Sequence, residues 1–429
     1  MKRALPWLIL LAGCGGESEP VFGPAVGATY FEDVKPILDA RCTSCHDGGG
    51  IAPFTLTDYA SASAMRGAIK LAVEQRTMPP WLAGPGCTDY LGDRSLRDDQ
   101  IATITSWVDG DAPEGDPARE GAALDVAPSY ALSRVDQTLT MPAAYTATIS
   151  DSDDYRCFVI DWPGIATTHV TGFRANPGAI RSVHHVIAFL AGPDQAAAVT
   201  ALDDAEAGLG YSCYGGPGAA ASWIGVWTPG TEGVDFPADT GIRVDPGSKV
   251  VLQVHYSGLN GPPDPDITSL DLKLDADVAK EAWIQPWANL AWEGGGVMIL
   301  PAGDPDVSVS VAYDPTLFVS NGQPVVMYSV GLHMHGLGTK GKVTIQRAGG
   351  DDECLLDMPR WDPHWQGAYG LAEPRTLLPG DRIYEECHWD NSAENQPIVG
   401  GMRLPPEEVD WGESVRDEMC LGAFYLSTP

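Results

Sequence analysis

Positive charge is scarce in this sequence of 429 residues: 26 Lys and Arg stand against 58 Asp and Glu, a net charge of −32. That balance excludes a basic groove for nucleic acid and leaves an acidic, well-solvated surface. Long apolar runs are scarce too. The one candidate, from Leu5 to Ala12, is about half of the ~20 residues that a membrane span needs, so the chain is not expected to cross a bilayer. Histidine is rare, with only nine in the whole chain, so any that cluster carry information. No internal repeat is visible, and the length suits two or three domains of ordinary size rather than one core.

What is present begins at the N-terminus. Lys2 and Arg3, the apolar run and the tetrapeptide Leu11-Ala12-Gly13-Cys14 form a secretory signal that ends in a bacterial lipobox. Residues 1–13 are therefore read as the signal peptide, Cys14 as the lipidated residue and 14–24 as a tether. Gly15, where an aspartate might favour retention at the inner membrane, points to the outer membrane of a bacterial envelope. Export decides how the cysteines are read, because thiols outside the cytoplasm tend to pair. Subtracting Cys14, Cys42 and Cys45 leaves Cys87, Cys157, Cys213, Cys354, Cys387 and Cys420.

Apolar residues at Phe31, Val34 and Leu38 have helical spacing and lead into Cys42-Thr43-Ser44-Cys45-His46. A second helix is predicted from Ser95 to Val108, with Ser95 and Asp98 as a capping box and Ile101, Ile104 and Val108 as its apolar stripe. The Pro- and Gly-rich stretch after Trp107 reads as a linker. Beyond it, short runs rich in Val, Ile and Tyr alternate with Pro-Gly, Asn-Gly and Asp-Pro turns, the texture of β-sandwiches. The expected architecture is a small all-α cytochrome c-like haem domain over 25–118, a linker over 119–133, and two all-β, jelly-roll-like sandwich domains over 134–275 and 276–429.

Two cysteines three apart, followed at once by histidine, allow thioether attachment to both haem vinyls while His46 ligates the iron. A disulfide or a zinc half-site is the alternative, but no second Cys/His pair lies nearby in the sequence. The sixth ligand should be a soft thioether on a later loop. Met78, between Thr77 and Pro79-Pro80, is favoured; Met65 competes but falls within an expected helix.

After His46, five of the remaining histidines stand in ligand-like settings. On the run Val250–Tyr256, Val250, Leu252, Val254 and Tyr256 face one side, with Gln253 and His255 on the other. On Val326–His335, the residues Val330, Leu332 and Met334 oppose Gly331, His333 and His335, so His333 and His335 share a face and can share a metal. The adjacent pair His184-His185 cannot share a face on a regular strand, so a bulge or strand end is predicted there. Each histidine alone is an ordinary core or surface residue; together they point to metal. His169, His364 and His388 fit no ligand position and are read as structural or surface residues.

The segments Val183-His184-His185-Val186, Val251-Leu252-Gln253-Val254-His255-Tyr256, His333-Met334-His335 and Asp417-Glu418-Met419-Cys420 occur in an order that resembles the copper type II, ascorbate-dependent monooxygenases, over roughly residues 134 to 429. The resemblance implies one copper on His184, His185 and His255 and a second on His333, His335 and Met419, with the second as the catalytic site. Three imidazoles suit both copper oxidation states, and a thioether beside two imidazoles favours Cu(I). Zinc is the usual alternative for a histidine cluster, but Met419 argues against it. The resemblance also implies a Cys387–Cys420 disulfide. Cys157 with Cys213 is suggested by position only, and Cys87 and Cys354 stay unassigned.

The function implied is hydroxylation of a C–H bond of a small organic molecule with dioxygen, using two copper ions and one covalent haem c that brings electrons from a periplasmic or extracellular donor. A non-catalytic envelope copper-binding or redox-sensing lipoprotein is the alternative, and a plain electron carrier is a third reading. The peptide-amidating branch of the family holds a substrate carboxylate with an arginine and a tyrosine. Gly331 and Ala423 stand at the matching positions, so a neutral or differently anchored substrate is expected, unless Arg403 or Arg416 compensates.

Overall fold

The computed structural model describes residues 27–48, 52–124, 131–149, 153–213, 215–228, 231, 233–257, 262–289, 291–292, 297–399, 401–412 and 416–429. The signal segment, Cys14 and the tether lie outside the described residues, as does part of the expected linker. Among the described residues no helix is long and apolar enough to cross a membrane. The chain divides into two compact units, Met1–Pro79 with Arg94–Val126, and Pro80–Asp93 with Ala127–Pro429.

In the first unit Val34 and Leu38 of the expected stripe are buried, whereas Phe31 is only partly so and Tyr30 takes the inner place. A π-helical turn, Tyr30–Val34, runs into the helix Lys35–Arg41, and Tyr30, Val34, Ile37 and Leu38 are fully buried together with Ile104 and Trp107. Two further helices, Tyr59–Ala64 and Arg66–Glu74, precede Met78. The next helix is Asp98–Asp109, three residues later than Ser95 would start it. There the Gln100 side chain accepts the Arg97 backbone N–H at 3.0 Å, so only this half of the predicted capping box forms, two residues further along, because an Arg guanidinium has no acceptor to return the bond. Trp107 is buried among the apolar residues, and its indole N–H donates to the Pro113 carbonyl at 3.1 Å.

The expected separate all-α cytochrome domain is not what the chain forms. The described residues hold six short α-helices against twenty-two strands, and no self-contained all-α domain spans 25–118. The segment Pro80–Asp93, in the middle of that range, belongs to the β unit. The Gly84 N–H donates to the Asp357 carbonyl at 2.7 Å, the Leu91 N–H to Gly370 at 2.8 Å, and the Tyr90 hydroxyl to Leu355 at 2.9 Å. Cys87 is bonded to Cys354. A Pro- and Gly-rich stretch that reads locally as a loop of the helical unit is thus drawn off by one distant cysteine and by sheet-edge carbonyls.

The β texture is realised in the second unit. One face is a run of paired strands that includes Thr168–Asn176, Ser269–Asp275 and Thr240–Val244; another includes Asp153–Asp161, Lys249–Ser257, Val183–Ala191 and Ser222–Trp227. Leu252, Val254, Tyr256, Val186, Phe173 and Leu270 fill the core between them. Further along, Val325–His333 pairs with Ala368–Leu377 and with Leu421–Ser427. Val307–Tyr313, Arg382–Trp389, Gly338–Gln346 and Glu353–Met358 make a separate four-stranded sheet. A second core, with Val330, Leu332, Met334, Val343, Leu355 and Trp389, lies between these sheets.

The strand Leu421–Ser427 joins the two halves. It pairs with Lys280–Trp287 on one side and Val325–His333 on the other. Phe424 and Leu426 enter the second core while Tyr425 enters the first. Alternating side chains of one buried strand thus serve two cores.

Candidate metal centres

Lys249–Ser257 runs between Asp153–Asp161 and Val183–Ala191, which puts His255 opposite Tyr155 on one side and His185 on the other. The pairing with Val183–Ala191 slips between Val183 and His185. This irregularity lies where two adjacent histidines must turn toward one point, as the bulge argument requires. The Nδ1 atoms of His184 and His185 are 3.4 Å apart, and so are those of His185 and His255. Candidate ligand nitrogens of all three lie within 4.8 Å of one another. An ion holding nitrogens at about 2.0–2.1 Å in a near-tetrahedral array keeps them about 3.3–3.4 Å apart, so the three rings fit one metal ion.

The second nitrogen of His255 is occupied. Its Nε2 donates to Asp153 Oδ1 at 2.7 Å, which leaves the Nδ1 lone pair for the shared point. Tyr155 lies flat on the His255 ring at 4.0 Å with planes 10° apart. Burial, reinforced by the neighbouring imidazoles, pushes the His184 pKa down to about 4 and those of His185 and His255 well below the usual histidine range. All three are therefore neutral near pH 7, the form in which imidazole is a ligand.

His333 ends the strand Val325–His333, and His335 lies just beyond it, with ring centres 5.0 Å apart. His333 Nδ1 meets the side-chain oxygen of Gln366 at 2.5 Å and His335 Nδ1 meets the Asp417 carbonyl at 2.8 Å. Both partners are acceptors, so both Nδ1 atoms carry the proton and Nε2 is the unprotonated nitrogen of each ring. Burial, then the charge His335 would carry, pushes the His333 pKa down to about 3. Leu421 pairs with His333, so Met419, two residues earlier and buried, extends that register to the level of His335.

Glu418 holds this corner. Its carboxylate accepts the backbone N–H of His335 at 2.8 Å, that of Leu337 at 2.6 Å and the indole N–H of Trp389 at 2.7 Å. Cys420 is bonded to Cys387 on the strand that carries Trp389. The two histidine sets are close enough to feel each other's charge: His335 depresses His184 and His255, and both His333 and His335 depress His185.

Asp153, Gln366 and Glu418 have no signature of their own. Each is a single polar residue far from its histidine in the chain, except Glu418, which lies inside the quoted Asp417–Cys420 run. His364 is exposed, and its pKa is raised by the hydrogen bond its Nδ1 makes to Asp362 at 2.9 Å. It nonetheless acts on His184 across space, an influence that reading it as a surface residue had missed. His388 bonds Glu386 at 2.5 Å, and His169 is buried near Glu281.

The positions that could anchor a carboxylate are bare. Gly331 pairs directly with Ala423 and, on its other side, with Ala368; Ala423 in turn pairs with Pro286. Paired residues share a face, and Gly331 shares the His333 face. A row of four residues without charge therefore crosses the sheet beside the His333–His335 pair. Arg403 is tied to its own hairpin, where its guanidinium donates to the Gln396 carbonyl at 2.6 Å.

In the helical unit, Cys42 and Cys45 are free of disulfides and the His46 N–H bonds the Cys42 carbonyl at 2.9 Å, a single turn past the helix Lys35–Arg41. His46 Nδ1 donates to the Phe54 carbonyl at 3.1 Å, leaving Nε2 as its open nitrogen. Met65 packs against the buried core of this unit, whereas Met78 is half-buried after the helix Arg66–Glu74 and outside that cluster. The other cysteines among the described residues form three disulfides, Cys157–Cys213, Cys387–Cys420 and Cys87–Cys354.

Residues 297–427 match the family model for the C-terminal domain of the copper type II ascorbate-dependent monooxygenases. The chain is 24% identical over 263 residues to DBH-like monooxygenase protein 1 of Gallus gallus, covering 56% of this chain and 38% of that protein. It is 24% identical over 377 residues to the Homo sapiens protein of the same name, covering 77% of this chain and 55% of the relative. MOXD1 homolog 1 of Drosophila melanogaster is 22% identical over 215 residues, covering 46% of this chain and 27% of that protein. The chain thus spans about half the length, or less, of these relatives. These similarities support an oxidoreductase of the copper monooxygenase type.

Proposed function

We propose that this chain, whose residues 297–427 match the C-terminal domain of the copper type II monooxygenases, hydroxylates a C–H bond of a small neutral organic molecule with dioxygen, using one copper at each histidine set. The observation that carries the reading is the convergence of His184, His185 and His255 from two strands onto one point, with Nδ1 atoms 3.4 Å apart. When bound, the copper pair supplies one-electron storage at the three-histidine site and dioxygen chemistry at the thioether-ligated one.

The chain's own residues prepare for this. Burial keeps the imidazoles neutral, so metal binding at neutral pH displaces no protons from them. Gln366 and the Asp417 carbonyl hold the Nδ1 protons of His333 and His335, and Glu418 fixes the backbone that carries His335. The row Ala368, Gly331, Ala423 and Pro286 offers no partner for a carboxylate, which supports a neutral substrate.

The same proposal includes electron supply through a haem attached at Cys42 and Cys45, with His46 Nε2 on one side of the iron and Met78 on the other. His46 suits the role because its Nδ1 proton is already held by Phe54. Lipidation at Cys14 and an outer-membrane site in a bacterial envelope complete the reading.

The test is metal analysis with a pyridine-haemochrome measurement on protein matured in a host that assembles c-type cytochromes, then product analysis with a reductant, dioxygen and a panel of small molecules. Copper near twice haem and a hydroxylated neutral product are expected. Bound zinc with negligible copper, or efficient conversion of a glycine-extended peptide, would overturn the reading.

A further inference from the structure

The polar groups behind the two histidine sets are not alike. Behind the three-histidine set stands a carboxylate: His255 donates its Nε2 proton to Asp153 Oδ1 at 2.7 Å, with His255 fully buried and the Asp153 side chain mostly so. In the other set the ring nitrogens meet neutral acceptors, the Gln366 amide oxygen at 2.5 Å and the Asp417 backbone carbonyl at 2.8 Å, while the nearby Glu418 carboxylate bonds the His335 backbone N–H rather than a ring.

A carboxylate that accepts the far proton of an imidazole pulls electron density toward the ring and raises the basicity of the nitrogen facing the metal. More basic nitrogen stabilises the higher-charged ion. In a buried site the negative charge of the carboxylate also acts directly through a low-dielectric medium, favouring Cu(II) over Cu(I). An amide or backbone carbonyl fixes ring orientation equally well and adds no charge.

We propose that Asp153 is a positioning residue that biases the copper held by His184, His185 and His255 toward Cu(II). The inference rests on the two-copper reading above. Asp153 lies on Asp153–Asp161, the strand paired with the one that carries His255, so the bias is built into the sheet register rather than into a mobile loop.

Asp153→Asn keeps an oxygen acceptor for His255 and removes the charge, while Asp153→Glu keeps the charge. The experiment measures Cu(II) and Cu(I) affinities of the full chain separately, by competition with chelators selective for each oxidation state, with electron paramagnetic resonance assigning each Cu(II) to its site. In Asp153→Asn the three-histidine site should bind Cu(II) about 10–100-fold more weakly. Its Cu(I) affinity should change much less, the other site should be unmoved, and Asp153→Glu should restore part of the loss. Equal weakening of Cu(II) and Cu(I) would mean that Asp153 only supports the ring, and no change in either would mean that it does nothing; both overturn the inference. A wild-type chain that binds no copper at His184, His185 and His255 fails differently, because it removes the two-copper reading itself.

Discussion

The three-histidine set and the His333–His335–Met419 set are built by opposite means. The first sits on the interior of paired strands: His255 is flanked by Tyr155 and His185 in register, and one slip in the ladder turns His184 toward them. The second sits where strands end. His333 is the last residue of its strand, His335 lies past it, and Met419 stands two residues before the strand Leu421–Ser427. What strand pairing does for the first is done for the second by a buried carboxylate, an indole and a disulfide. A metal site inside a sheet inherits its geometry from the register, whereas one at the strand ends needs dedicated fasteners.

The largest effect should come from removing the one ligand the sets do not share in kind. Met419→Ile is expected to abolish hydroxylation while the three-histidine copper stays bound, read as loss of product with one copper retained per chain. Loss of both coppers would show that the two sets are not separable.

Opening the fastener should unbalance the sets next. Cys387 and Cys420 are 33 residues apart, and a loop of that size gives a disulfide worth about 3–4 kcal/mol in the chain-entropy model. The double Cys→Ser variant should lose stability of that order in urea unfolding. Hydrogen exchange should rise around His335 and Met419 while Val183–Ala191 and Lys249–Ser257 stay protected. Uniform deprotection would contradict the division of labour argued here.

The buried histidines of both sets and the buried carboxyls of the second should respond to pH in opposite directions. The buried histidines have folded pKa values below their unfolded ones, so below about pH 6.5 the unfolded copper-free chain takes up protons that the folded one refuses. Stability should therefore fall as pH drops from 6.5 toward 4. On the alkaline side the sensitive groups are Glu418, whose pKa burial lifts to about 7, and Glu385, in the core beneath the second set. Glu385 Oε1 accepts from Tyr313 at 2.8 Å, its Oε2 has no partner, and it presses so closely on Gly422 that any side chain there would collide. Burial lifts its pKa to about 8. A carboxyl with a raised folded pKa contributes stability that is complete below its unfolded pKa and is lost as pH rises through the folded value. Glu385→Gln should flatten the decline between about pH 5 and 8 and leave the acid side unchanged, as followed by thermal unfolding across pH.

The smallest effect on the comparison should come from outside it. Met78→Ala is expected to alter the spectrum of the ferrous haem yet leave both copper occupancies, and turnover with an artificial reductant, as in the wild type. An unchanged haem spectrum would hand the axial position to Met65 or another ligand.

The sequence alone determined what depends on local pattern. Period-two alternation along Val250–Tyr256 and Val326–His335 put His255 and His333 on the faces away from Val254 and Leu332, and the adjacency of His184 and His185 demanded a break in the ladder. Val34 and Leu38 were legible as part of one buried stripe for the same reason, since a helix of 3.6 residues per turn and a strand of two write their faces into the chain, whereas Tyr30 rather than the expected Phe31 completes it. Tertiary structure alone decided what depends on contact between distant residues. Asp153 reaches His255 across 102 residues, Gln366 reaches His333 across 33, and Cys87 finds Cys354 across 267. That last pairing also carries Pro80–Asp93 into the β unit and dissolves the expected helical domain. Such partners leave no periodic trace, because a hydrogen bond or a disulfide constrains only the distance between two atoms in the folded state and leaves the residues between them free to vary.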